Sequence, residues 1–125
     1  MKFSGLVRLG THFLEDWGTG HSGSEITNAP EYPVAVAVNL INLATHIKSP
    51  FVVPQGAIVS FDVMKNGVAV PGYSITYVPG EGSVKTLLAG PVPYAIGERL
   101  DIRVVITGIS SGQGVNVSAT VGVLP

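Results

Sequence analysis

Three histidines, eight carboxylates and a serine-rich loop are the residues of this sequence that could do chemistry, and their spacing organises none of them into a working set. The stretch Gly20-His21-Ser22-Gly23-Ser24 comes closest to a nucleophile elbow of the G-x-S-x-G kind. Such an elbow needs a strand before it and a helix after it, so that the serine sits on a strained turn. Here Asp16-Trp17-Gly18-Thr19 precedes it and Ser24 replaces the closing glycine, which leaves a flexible Gly/Ser loop. His12 and Asp16 stand four apart and would converge on a metal only on a helix, which the surrounding glycines oppose. His46, within Ala44-Thr45-His46-Ile47-Lys48, alternates as an outward strand residue. Asp101 and Arg103 share one strand face and are expected to pair across strands as solvated sheet decoration. Tyr32, Tyr73, Tyr77 and Tyr94 could stack on sugar rings, although isolated tyrosines more often serve as core or rim residues. The sequence therefore predicts no enzyme, no metal and no cofactor.

The elements that would have to position these residues read as strands. From Val34 onward large apolar residues recur at every second place, as in Val34-Ala35-Val36-Ala37-Val38-Asn39-Leu40, and again with Val59, Phe61 and Val63 inward against Ser60 and Asp62 outward. Asn66-Gly67 is the residue pair of a tight type I′ hairpin. Pro71-Gly72 predicts a corner between two strands, and Gly90-Pro91-Val92-Pro93 can join a sheet only at an edge. Leu100, Ile102, Val104 and Ile106 form one inward set, and Val115, Val117, Ala119, Val121 and Val123 another. The expected fold is all-β: a single sandwich or jelly roll of about seven or eight antiparallel strands over residues 33–125.

Composition narrows the partners. With 12% charged residues, 46% hydrophobic residues and a formal net charge of -1, the chain has no basic field for a nucleic-acid backbone and too little charge for disorder. Such a surface favours assembly. No apolar run is long enough to span a membrane, and the N-terminus lacks the core of a signal peptide, so the chain is expected to be soluble and made in the cytoplasm. With zero cysteines there are no disulfides or thiolate metal sites. Asn116-Val117-Ser118 fits a glycosylation triplet inside an alternating strand and reads as coincidence.

Residues 1–32 lack a sustained period and are punctuated by Gly5, Gly10, Gly18, Gly20 and Gly23. They read either as an edge strand over residues 6–9 followed by a surface loop, or as an extended arm that packs on a neighbouring subunit. Leu6, Leu9, Phe13, Leu14 and Trp17 are the apolar side chains with which such an arm would bind a partner.

Over residues 51–123 the chain resembles a known family. The motifs are Phe51-Val52-Val53-Pro54-Gln55-Gly56-Ala57, then Val63-Met64-Lys65-Asn66-Gly67-Val68-Ala69-Val70-Pro71-Gly72, then Gly97-Glu98-Arg99-Leu100-Asp101-Ile102-Arg103-Val104 and a closing alternating strand. Together they are similar to the small jelly-roll modules of tailed-bacteriophage virion proteins, found in capsid cement (decoration) proteins and in fibre or head-spike tips. The resemblance implies a homotrimer attached to a virion, with no active site to carry over. The expectation is a cement protein on the capsid exterior, its partner the major capsid protein, with the arm as the cementing element. About 30 extended residues reach up to roughly 100 Å, and each large side chain buried contributes about 1.5 to 3 kcal/mol before ordering costs. The alternative is a receptor- or glycan-binding tip whose exposed tyrosines touch sugar.

Overall fold

The computed structural model describes residues 2–7, 10–16, 32–49, 53–81, 84–109 and 114–125. They form ten strands and no helix: β1 (Lys2–Val7), β2 (Gly10–Phe13), β3 (Glu15–Asp16), β4 (Tyr32–Pro33), β5 (Val38–Ser49), β6 (Ile58–Lys65), β7 (Val68–Tyr77), β8 (Val84–Tyr94), β9 (Arg99–Thr107) and β10 (Val115–Leu124). The first sheet runs β3-β1-β10-β5-β8, the second β2-β9-β6-β7, and all ladders are antiparallel. β6 occupies one side of β9 throughout, so β2 and the two-residue β4 share the other side in succession.

The two sheets close on each other because every long strand alternates. Leu43, Thr45 and Ile47 of β5, Val59, Phe61 and Val63 of β6, and Leu100, Ile102, Val104 and Ile106 of β9 are all buried between the layers. The strand order follows a nested scheme. β6 pairs with β7, β5 with β8, β2 with β9 and β1 with β10, as in one long hairpin rolled so that successive pairs fall on alternate sheets. The tip of that hairpin is Asn66-Gly67, whose φ angles of 52° and 79° are the positive pair that a type I′ turn requires.

One expected corner is absent, and one expected edge is present. Pro71-Gly72 does not turn a corner: β7 runs through it as an edge strand, where a missing N–H costs no ladder bond, and Gly72 takes up the irregularity at a φ of 83°. Likewise β8 continues through Gly90-Pro91-Val92-Pro93, and it too lies at a sheet edge, the place to which its prolines restrict it.

The larger correction concerns the N-terminus. Instead of leaving the domain as an arm, β1 pairs with β10 along six residues, from Lys2 opposite Thr120 to Val7 opposite Val115, and β2 pairs with β9. Phe3 and Leu14 have no exposed surface and belong to the core. The glycines that obscured the alternation are tolerated here because the partner strands supply the regularity. Residues 17–31 lie outside the described residues.

Candidate interaction surface

The residues named from sequence do not converge. Leu6 lies in β1 opposite Asn116, in the first sheet. Phe13 is half-buried in the second sheet, on the face away from the core and opposite Arg103. Leu14 is wholly buried within this chain, so it has nothing to offer a neighbour. Leu9 and Trp17, with His21 and the Gly20–Ser24 loop, fall outside the described residues. His12 points inward and is buried on β2, whereas His46 is half-buried on the outer face of β5, so the two occupy different sheets. Among the described residues no three metal-ligating side chains gather.

Tyr73, Tyr77 and Tyr94 are core residues, contrary to what a sugar-binding face needs, and the Tyr32 side chain falls outside the described ones. Tyr73 and Tyr77 share the inward parity of β7 with Ile75, and Tyr94 closes β8. Each carries its hydroxyl across to the opposite sheet. Tyr73 places its O–H within 3.1 to 3.3 Å of the carbonyls of Leu40, Ala89 and Gly90, where the β5–β8 ladder skips between Leu40 and Asn42 and leaves carbonyls without a ladder donor. Tyr77 Oη meets Thr45 Oγ1 at 2.8 Å, and Tyr94 donates to the carbonyl of Met64 at 3.1 Å. Burial pushes the hydroxyls of Tyr73, Tyr77 and Tyr94 up in pKa, so they stay protonated donors.

Two lysines finish this side of the sandwich. Lys85 Nζ lies 5.1 Å from the Tyr77 ring centroid, donates to the Thr76 carbonyl at 2.8 Å and pairs with Glu81 at 2.7 Å. Lys65 Nζ repeats the arrangement over Tyr94 at 5.3 Å, with the Pro93 carbonyl at 2.7 Å and Glu98 at 3.4 Å. The side chains of β6, β7 and β8 thereby stitch the two sheets together where β7 and β8 leave both of them open.

Both carboxylates of this stitching are held below their ordinary range: Glu98 chiefly by the Ala95 N–H, which donates to it at 2.8 Å, and Glu81 chiefly by Lys85. Their lowered folded pKa means that their contribution is fully present above the ordinary value of 4.5 and is lost as pH falls through the folded value. Thermal unfolding followed by circular dichroism is therefore expected to give a level midpoint between about pH 5 and 7 and a decline below that window. Glu81→Gln with Glu98→Gln should flatten the decline, and an undiminished decline in that double variant would remove these two residues as its source.

On the outward face of the second sheet, one row crosses three strands. Ser74 donates to Asp62 Oδ1 at 2.5 Å, and Arg103 Nη2 reaches Asp62 Oδ2 at 2.9 Å, each pair in direct register. Arg103 thus has the cross-strand partner expected of it. Asp101 departs from expectation: it is buried, opposite the equally buried Met64 on the face away from the core, and accepts from its neighbour Ile102 N–H at 2.8 Å. It is not solvated decoration.

The outward face of the first sheet is different in kind. Register sets Val84, His46 and Ser118 in one row, Thr86, Ala44 and Thr120 in the next, and Leu88, Asn42 and Gly122 in a third. None of the nine carries a formal charge, and most are small, so the surface is low in relief. Leu88 is 81% exposed and Val84 59%, the apolar side chains nearest the free edge. Lys48 follows His46 on the same outward parity of β5, so a cation borders these three uncharged rows, whose apolar side chains beside hydroxyl and amide groups have the chemistry of a protein–protein contact. Sequence periodicity could have found it, because the outward residues of β5, β8 and β10 are legible singly. Only the register brings them side by side. Comparison with protein-family models and with curated proteins finds no match for this chain.

Proposed function

We infer that the chain is a structural virion protein: a capsid cement, or decoration, protein of a tailed phage that binds major capsid subunits on the outside of the head as a homotrimer. The observation that carries this reading is the nested strand order, in which four successive pairs alternate between two sheets. Such nesting is what a jelly roll would have, and that architecture recurs in viral capsid domains. Further support comes from the resemblance of residues 51–123 to phage virion modules and from the three uncharged rows on the outer face of β5, β8 and β10. Jelly rolls also serve as lectins, but Tyr73, Tyr77 and Tyr94, on which a glycan-binding tip would rely, have their rings in the core.

The burial of Phe3 and Leu14 moves the expected contact away from an N-terminal arm and onto that face. Mass measurement in solution at micromolar concentration is expected to give three copies, and phage heads stripped of the protein are expected to take it up to saturation. Leu88→Glu, at a position this exposed, should leave thermal stability within about 0.5 kcal/mol of the parent while abolishing trimer formation or uptake. A parent chain that is a clean monomer and leaves such heads bare would overturn the reading. A fully active Leu88→Glu variant would move the contact elsewhere.

A further inference from the structure

The tip of the β6–β7 hairpin carries a reactive pair. Asn66-Gly67 is the single Asn-Gly step among the five asparagines of the chain, and Asn66 is exposed. A following glycine offers no side chain to hinder approach of its backbone nitrogen to the asparagine amide carbon. We propose that Asn66 is a site of spontaneous deamidation, and that Glu98 and Arg99 hold it unreacted.

The restraint is visible in three hydrogen bonds to the turn between β8 and β9. Asn66 Oδ1 accepts from the Arg99 N–H at 2.9 Å, Asn66 Nδ2 donates to Glu98 Oε2 at 2.9 Å, and the Asn66 N–H donates to the Arg99 carbonyl at 2.9 Å. Both heteroatoms of the side-chain amide are thus committed to the neighbouring turn, and the side chain is fixed in one rotamer. Glu98 is itself fixed, by the Ala95 N–H on Oε1 and by Lys65 at 3.4 Å. Reaction requires the amide to leave these partners, so its rate follows local opening of the tip rather than the intrinsic rate of the pair.

The chemistry needs only water. The Gly67 nitrogen gives up its proton and bonds to the Asn66 Cγ; the Cγ–Nδ2 bond breaks, and Nδ2 leaves as ammonia with that proton, which closes a succinimide ring. Water then adds to one of the two ring carbonyls and one C–N bond opens. Opening at the side-chain carbonyl gives aspartate; opening at the backbone carbonyl gives isoaspartate. Either product adds a carboxylate to the turn, and the aspartate sets it where an N–H donor had faced Glu98, so that two like charges meet. The isoaspartate product also lengthens the main chain inside a two-residue turn, where loop length fixes the register of the flanking strands. Conversion would therefore unpin the hairpin from the β8–β9 turn.

The test follows the full chain in mildly alkaline buffer, native and in urea, by mass mapping of the peptide that contains Asn66, with Asn39, Asn42 and Asn116 as internal references. The native chain is expected to convert at Asn66 at least about tenfold more slowly than the unfolded chain, and Glu98→Ala to recover most of that factor while keeping the parent's circular dichroism. Equal rates in the native and unfolded parent, or a folded Glu98→Ala variant no faster than the parent, would overturn the proposal. Should Glu98→Ala fail to fold, Asn66→Asp supplies an independent readout: it should unfold at lower denaturant than the parent at neutral pH, with the gap closing once the carboxyls protonate below about pH 4. The absence of any gap at neutral pH would sink the proposed restraint by Glu98.

Discussion

Removal of residues 1–16 is expected to abolish cooperative folding. The truncation strips the six-residue ladder of β1 on β10 and the four-residue ladder of β2 on β9, and it takes Phe3 and Leu14, both without exposed surface, out of the core. Truncating a buried Phe or Leu to Ala costs about 2 to 5 kcal/mol in a typical core. Two such losses together with two ladders reach the whole stability of an ordinary domain, about 5 to 15 kcal/mol. The inward residues of β10, Val115, Val117, Ala119 and Val121, would also lose part of their cover along the freed edge. Circular dichroism during heating should show no sigmoidal transition for the truncated chain. A transition at the parent's midpoint would mean that β1 and β2 contribute nothing, and would restore an arm as the reading of this segment.

Gly108→Ala is expected to be the most damaging single methyl group among the described glycines. Its φ of 78° is in the region that side-chain-bearing residues avoid, and a Cβ there would run into the carbonyl oxygen of Gly56, with the Ala57 Cα 3.1 Å away. Both obstacles are backbone, so neither can swing aside. The left-handed conformation alone costs about 1 to 2 kcal/mol. The collision adds to it, and a total of about 3 to 5 kcal/mol places the change among the exceptional single substitutions. Gly97→Ala separates the two terms, since its φ is 86° but a Cβ there meets open space. Urea unfolding should show a small shift of midpoint for Gly97→Ala and a several-fold larger one for Gly108→Ala. Equal shifts would mean that the loops carrying Gly56 and Gly108 part at little cost.

Much of the architecture was legible because alternation is a local signal. Val59, Phe61 and Val63, and again Leu100 to Ile106, declare their inward face without help from the rest of the chain, and Asn66-Gly67 declares its turn. The strands that escaped did so for a common reason. β1 and β2 find their partners in β10 and β9, almost the full length of the chain away, and short segments rich in glycine show no period of their own. Pro71-Gly72 suggested a corner because proline is excluded from central strands, and only the sheet order reveals that β7 is an edge strand, whereas Pro91 had already pointed to an edge. The inward tyrosines were legible as core residues, but their hydrogen-bond partners were not. Tyr73, Ile75 and Tyr77 share one parity, which marks them as inward, but the carbonyls that satisfy Tyr73 come from β5 and β8 in the opposite sheet. No periodicity within β7 announces an acceptor in another layer. The uncharged rows of the outer face were written in three separate strands and assembled by register alone.

The nesting of β6–β7 inside β5–β8, β2–β9 and β1–β10 also sets an order of events in time. Only the innermost pair is local, joined by the two residues Asn66 and Gly67. Each further pair must close a longer loop, at an entropic cost that the hairpin before it has already reduced. On the ribosome, the first sheet stays open until Val115–Leu124 emerges, because β10 is the strand that joins β1 to β5. Until then β1 and β5 wait without their common neighbour, their apolar sides uncovered. A chain wound in this way folds slowly for its size, from the tip outward.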